Sequence, residues 1–115
     1  MRGFSMMVEQ QAPDVFRVGL GGELDVSKAY TMDEELRAIE RRAPAVIVLD
    51  LRELRFLDSS GLARILAAQR RAQKGRWRFC VVRGCTTVQR ILALAALDRS
   101  LDLIDDPAEA LPATA

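Results

Sequence analysis

The residues best suited to chemistry form one short run, Asp58-Ser59-Ser60-Gly61-Leu62. Two hydroxyls follow a carboxylate, and a glycine comes next, where an apolar helical pattern begins. Ser and Asp are the side chains that best accept bonds from the free amides of a helix start, so an N-terminal cap accounts for the run on local physics. The same geometry suits a reversible modification. A helix start offers unpaired N–H groups and a positive dipole end, which tolerate a phosphate. A phosphate on Ser60 would add a charge of about −1.5 to −2, enough to disrupt a docked partner, and Asp58 adds like charge beside it.

Other chemistry is thinly supported. The chain has no histidine, so Ser–His–Asp and Cys–His catalysis lack their base. Its two cysteines are too few to close a zinc site. Cys80 sits in an apolar run and reads as a buried thiol, while Cys85 follows a turn signal at Gly84. A disulfide between them stays open, but two cysteines are no secreted scaffold. Gly19, Gly21 and Gly22 match neither phosphate-binding fingerprint and read as turn glycines. Catalysis by carboxylates alone is formally open. The expectation is a protein that is not an enzyme and needs no cofactor or metal.

At 115 residues the chain suits one domain, 1–115, with an irregular start over about 1–5 and a tail over about 112–115. Half of its residues are hydrophobic, enough for a real core. Seventeen Lys and Arg face sixteen Asp and Glu, a net charge of +1 that argues against direct nucleic-acid or membrane binding. Arg41 and Arg42, and the group Arg70, Arg71, Lys74 and Arg76, read as solvated helix faces. There is no apolar leader near the start, and the longest apolar run, 91–97, is too short to span a bilayer. The cytoplasm is the expected location.

The elements that must position the serines follow from periodicity. Strands are predicted at 4–8 and 15–20, joined by a turn at Ala12-Pro13-Asp14, with pairing ending at Gly21-Gly22. Glu23-Leu24-Asp25 reads as a short extended piece. A helix over 27–42, capped by Ser27, carries a stripe of Ala29, Met32, Leu36, Ile39 and Ala43, and Pro44 stops it. The β-branched run 45–50 suits a central strand covered on both faces. A loop over 51–58 is pinned by Leu54, Phe56 and Leu57, and a helix over 58–74 ends at Gly75. A strand at 77–82, a helix with Thr86 and Gln89 as a capping box, a strand at 101–104 and a brief helix with Pro107 at its first position complete the chain. Alternation of this kind predicts an α/β sandwich: a mixed, mostly parallel sheet of about four to five strands with about four helices. In such sheets function gathers beyond the carboxyl ends of the strands, where Asp58 and Ser60 fall.

The run Leu49-Asp50-Leu51, Leu54, Phe56-Leu57-Asp58-Ser59-Ser60-Gly61-Leu62 closely resembles the STAS domain of bacterial anti-sigma factor antagonists. Gly22-Glu23-Leu24-Asp25 before a helix resembles that family's second signature. The resemblance covers nearly the whole chain in element order. It implies a binding protein whose unphosphorylated form captures an anti-sigma factor with serine kinase activity and so frees a sigma factor. The kinase phosphorylates Ser60 and thereby ends binding, with Ser59 the second choice, and a PP2C-type phosphatase resets the switch. Asp25, Asp58, Ser59, Ser60, Gly61 and Leu62 map to the partner-facing surface. For Asp25, an exposed helix-start residue is the equal alternative. The family also contains accessory subunits of lipid-trafficking ABC transporters and of stress-signalling assemblies, which keep the scaffold and change the partner. One departure stands out: Leu97-Asp98-Arg99 occupies the place after the third helix where relatives carry a glycine. A monomer or weak dimer is expected, because an exposed edge strand permits self-association.

Overall fold

A computed structural model describes residues 3–111. The sheet has five strands in the order β1-β2-β3-β4-β5: β1 (Phe4–Ala12), β2 (Val15–Leu24), β3 (Val46–Leu57), β4 (Arg78–Val82) and β5 (Asp102–Ile104). β1 pairs antiparallel with β2, and the other three pairings are parallel. Three α-helices cross between the parallel strands: α1 (Val26–Glu40), α2 (Ser59–Gly75) and α3 (Thr86–Leu94). The expected fourth helix is a 3₁₀ turn at Pro107–Ala110, where Asp106 and Glu109 form a capping box.

All three helices lie on one face of the sheet. Met32, Leu36 and Ile39 of α1, Ile65 and Ala68 of α2, and Val88 and Leu92 of α3 pack on Phe16, Val18, Ile47, Leu49 and Val81. Burying each such aliphatic side chain stabilises by about 1.5–3 kcal/mol. The opposite face holds a smaller cluster of Val48, Cys80, Val82 and Ile104 under Ala110 of the 3₁₀ turn. Burial there pushes the Cys80 thiol up to about 11, and both cysteines are free.

Several boundaries differ from the sequence expectation, each for a local reason. β1 already starts at Phe4, inside the stretch expected to be irregular; positions 1–2 and the tail at 112–115 lie outside the described residues. Gly21 and Gly22 do not end the pairing but stay in register with Ser5 and Phe4. The expected loop over 51–58 is the second half of β3. There β3 gains one residue on β2 between Gly19 and Gly21, and another between Gly22 and Glu23. These two bulges turn Leu51, Leu54 and Leu57 inward at intervals of three, so the alternation expected of a strand is lost.

The helix ends also shift. Asp25, not Ser27, caps α1. Ala43 is exposed and left-handed, outside the buried stripe. α2 continues through Gly75 and the left-handed position is Arg76; Gly75 is needed because a Cβ there would strike the Trp77 ring. Thr86 and Gln89 form no capping box: Cys85 is the cap residue of α3, and Gln89 Nε2 donates to the Gly84 carbonyl instead. No helix among the described residues is long and apolar enough to cross a membrane.

Candidate functional site

β2 and β3 run parallel and finish level, with Leu24 opposite Leu57. The Asp58 amide donates to the Leu24 carbonyl at 3.3 Å, which ties the two ends together. Each strand passes at once into a helix through one extended aspartate. Asp25 caps α1, accepting from the Lys28 amide at 3.1 Å and the Ser27 hydroxyl at 3.0 Å. Asp58 caps α2, its Oδ1 accepting from the Ser60 amide at 2.9 Å and the Gly61 amide at 3.1 Å. The sheet thus sets two capped helix starts side by side at its carboxyl edge.

Exposure separates the residues of the run. Ser59 is exposed and Ser60 half-buried. Gly61 is buried because a Cβ at that position would lie 2.9 Å from Leu24 Cδ2 and 3.3 Å from Leu57 Cβ. It acts by letting α2 begin directly on the strand ends, not by presenting a side chain. Leu62 is half-buried against the main core. Asp25 is exposed, and its carboxyl is held below the ordinary carboxylate value by the Lys28 backbone N–H first and the Ser27 hydroxyl second. The structure therefore brings Asp25, Asp58, Ser59 and Ser60 to one surface and turns Gly61 and Leu62 inward beneath it. The amides expected to be free for a phosphate are in part taken, since Asp58 already occupies those of Ser60 and Gly61.

Sequence reasoning missed two features around this surface. Val26 is 67 % exposed and Tyr30 55 %, one turn apart on α1 next to Asp25. Their signal was their place off the buried stripe of that helix. The second feature is Asp33, which is buried on α1 and bonded by Arg37, Arg64 and Arg71. Arg71 is thus no member of a solvated face; it also bonds Glu40 at 2.8 Å. Arg42, by contrast, is exposed as expected, its guanidinium lying over the Phe16 ring 4.6 Å from the centroid. Asp33 follows no motif, and its α2 partners lie 31 and 38 residues along the chain.

Known proteins agree with this architecture. The family profile described as "Mlab, STAS domain" matches residues 7–105. The chain is 35 % identical over 101 residues to an anti-sigma F factor antagonist from Paenibacillus polymyxa, covering 84 % of each chain. It is 31 % identical over 94 residues to the anti-sigma-F factor antagonist RsfB of Mycobacterium tuberculosis, covering 82 % of this chain and 76 % of that one. Among solved structures, an anti-sigma factor antagonist from Mycobacterium paratuberculosis superposes with a TM-score of 0.83 at 27 % identity, covering 94 % of this chain and 91 % of that one.

Proposed function

The chain belongs to the STAS domain family, and from that premise we propose that it is an anti-sigma factor antagonist switched at Ser60. In this reading the unphosphorylated edge formed by Asp25, Asp58, Ser59 and Ser60 docks an anti-sigma factor that is also a serine kinase. Docking displaces a sigma factor from that partner. The kinase then moves the γ-phosphoryl group of its own ATP onto the Ser60 oxygen, leaving ADP and releasing the hydroxyl proton. The new dianion beside Asp58 repels the docked surface, and the complex separates. A PP2C-type phosphatase restores the hydroxyl by hydrolysis. The domain itself supplies a binding surface and a modifiable group, and it works in the cytoplasm without a cofactor.

The observation that carries this reading is the identity to two anti-sigma-F factor antagonists across most of the chain. The geometry supports it, because a serine hydroxyl at an exposed helix start is reachable by a kinase cleft. Ser59 is the more exposed of the two serines and stands as the second choice. The family profile carries the name Mlab and not that of an antagonist, so a partner of another class is the second reading: an accessory subunit of a lipid-trafficking ABC transporter or of a stress-signalling assembly.

A pull-down from the native organism, with the unmodified chain and with Ser60→Asp as bait, separates the two. The expected result is an ATP-binding kinase-like protein recovered by the unmodified chain and lost by Ser60→Asp. Recovery of transporter subunits, or of the same partner equally by both, overturns the proposal.

A further inference from the structure

α1 and α2 are joined by charges centred on Asp33, whose residue is only 3 % exposed. Three guanidinium groups reach its carboxylate: Arg37 Nε at 3.0 Å, Arg71 Nη2 at 2.9 Å and Arg64 Nη1 at 3.2 Å. Arg71 is anchored again by two bonds to Glu40, at 2.8 and 2.9 Å. Arg64 is held less firmly. It makes the longest of the three bonds, its side chain is 42 % exposed, and its guanidinium sits 5.8 Å from the centre of the Tyr30 ring. It also borders an open groove of about 320 Å³ between the helices, with room to move.

Arg64 follows Ser60 by four residues on α2. Side chains at that spacing share a helix face, with Cβ atoms about 5–6 Å apart. Helical Cα–Cβ bonds tilt toward the N-terminus, so Arg64 leans over the turn that carries Ser60. An anion four residues before a cation is also the favourable order along a helix. Asp58 holds the Ser60 and Gly61 amides, so a phosphate on Ser60 gains most from a side-chain donor.

We infer that Arg64 is the internal partner of a phosphate on Ser60: on phosphorylation its guanidinium leaves Asp33 and Tyr30 and donates to the phosphate oxygens. The inference rests on the reading of Ser60 as the modified serine. A guanidinium forked onto two phosphate oxygens is a stronger contact than one bond of 3.2 Å. Asp33 keeps Arg37 and Arg71, so the exchange strands no buried charge. Phosphorylation then does more than add charge. It uncovers Tyr30 and rearranges the α1–α2 surface next to Asp25.

The test places phosphoserine at Ser60 during translation, so that no kinase or partner is needed. The phosphate is titrated by phosphorus NMR in otherwise unmodified protein, in Arg64→Gln and in Arg64→Lys. Asp25, Lys28 and Asp58, the charges at the two helix starts, are the same in all three. The second ionisation is expected roughly 0.3 pH unit or more lower with Arg64 than in Arg64→Gln, with Arg64→Lys between. Tyr30 is the only tyrosine, and its ring resonances should shift on phosphorylation with Arg64 and stay in place in Arg64→Gln. Equal titrations together with an unmoved Tyr30 overturn the inference. A phosphorylated chain that still binds its anti-sigma factor would defeat the proposed switch while leaving this result to stand or fall separately.

Discussion

Asp33 and Asp50 lie inside the fold, each 3 % exposed, whereas Asp25 and Asp58 stand at its carboxyl edge as helix caps. The buried pair is saturated with arginine. Asp50 accepts from Arg17 Nε at 2.9 Å, from the Arg52 amide at 3.0 Å and from Arg52 Nη2 at 2.7 Å. The edge pair receives backbone amides and one hydroxyl, with no arginine bond among the described residues. Asp50 knits β2 to its neighbour β3, and Asp33 knits α1 to α2. Of the edge pair Asp25 is exposed and Asp58 half-exposed, and in the proposed function this is the region that meets the partner.

The largest effect sharpens this contrast within β3. Val48 stands two residues before Asp50 and points to the same face, but its neighbours are Cys80, Val82 and Ile104. Val48→Asp would bury a second carboxylate beside Arg17, its register partner on β2, whose guanidinium Asp50 already holds, at a cost of about 4 kcal/mol or more. Loss of the folded circular-dichroism spectrum is expected, and a soluble folded variant would break the argument. Next in size, Asp50→Ala removes the acceptor from two arginines. Both can still reach water, since Arg17 is 20 % and Arg52 46 % exposed. The expected loss is therefore about 3 kcal/mol in urea denaturation, at the low end for a broken buried pair.

Acid should act on the buried pair as well. Burial alone would raise both carboxyls, but Arg37 and Arg71 at Asp33, and Arg52 and Arg17 at Asp50, hold them below 3.8. A folded-state value below the unfolded one stabilises at higher pH and is lost as pH falls. The domain is thus expected to lose stability below about pH 4, less steeply in Asp33→Asn with Asp50→Asn. An equally steep loss in that variant would assign the acid sensitivity to other carboxylates.

At the edge the effects on folding are smaller. Asp58→Ala should cost about 1 kcal/mol as a lost cap, with a larger proportional loss of partner binding. Asp25→Ala should cost less, because its carboxylate is exposed. The smallest effect concerns the departure noted after α3. The left-handed residue there is Ala96, with a φ of 59°, and Ala96→Gly should raise stability by about 0.5 kcal/mol. A fall in melting temperature would show that the turn prefers the methyl group.

The sequence made the order of elements legible, because Pro44, the apolar stripes and the β-branched run each act over a few neighbours. It also placed Asp58 and Ser60 at a helix start beyond a buried strand. It misjudged the second half of β3, where two bulges replace the period of two by three. Asp33 stayed hidden because its α2 partners lie far along the chain, and no local pattern marks them. Asp25 takes the cap expected of Ser27 for a simpler reason: two good cap residues sit two positions apart, and β2 pairs with β3 as far as Leu24, so the helix starts directly after it.

The most direct test of the central claim is calorimetric titration of the captured anti-sigma factor into the chain with serine, and then with phosphoserine, at Ser60. The account predicts tight binding to the serine form and an affinity at least about tenfold weaker for the phosphoserine form, a difference of roughly 1.4 kcal/mol. Equal affinity for the two forms would contradict it.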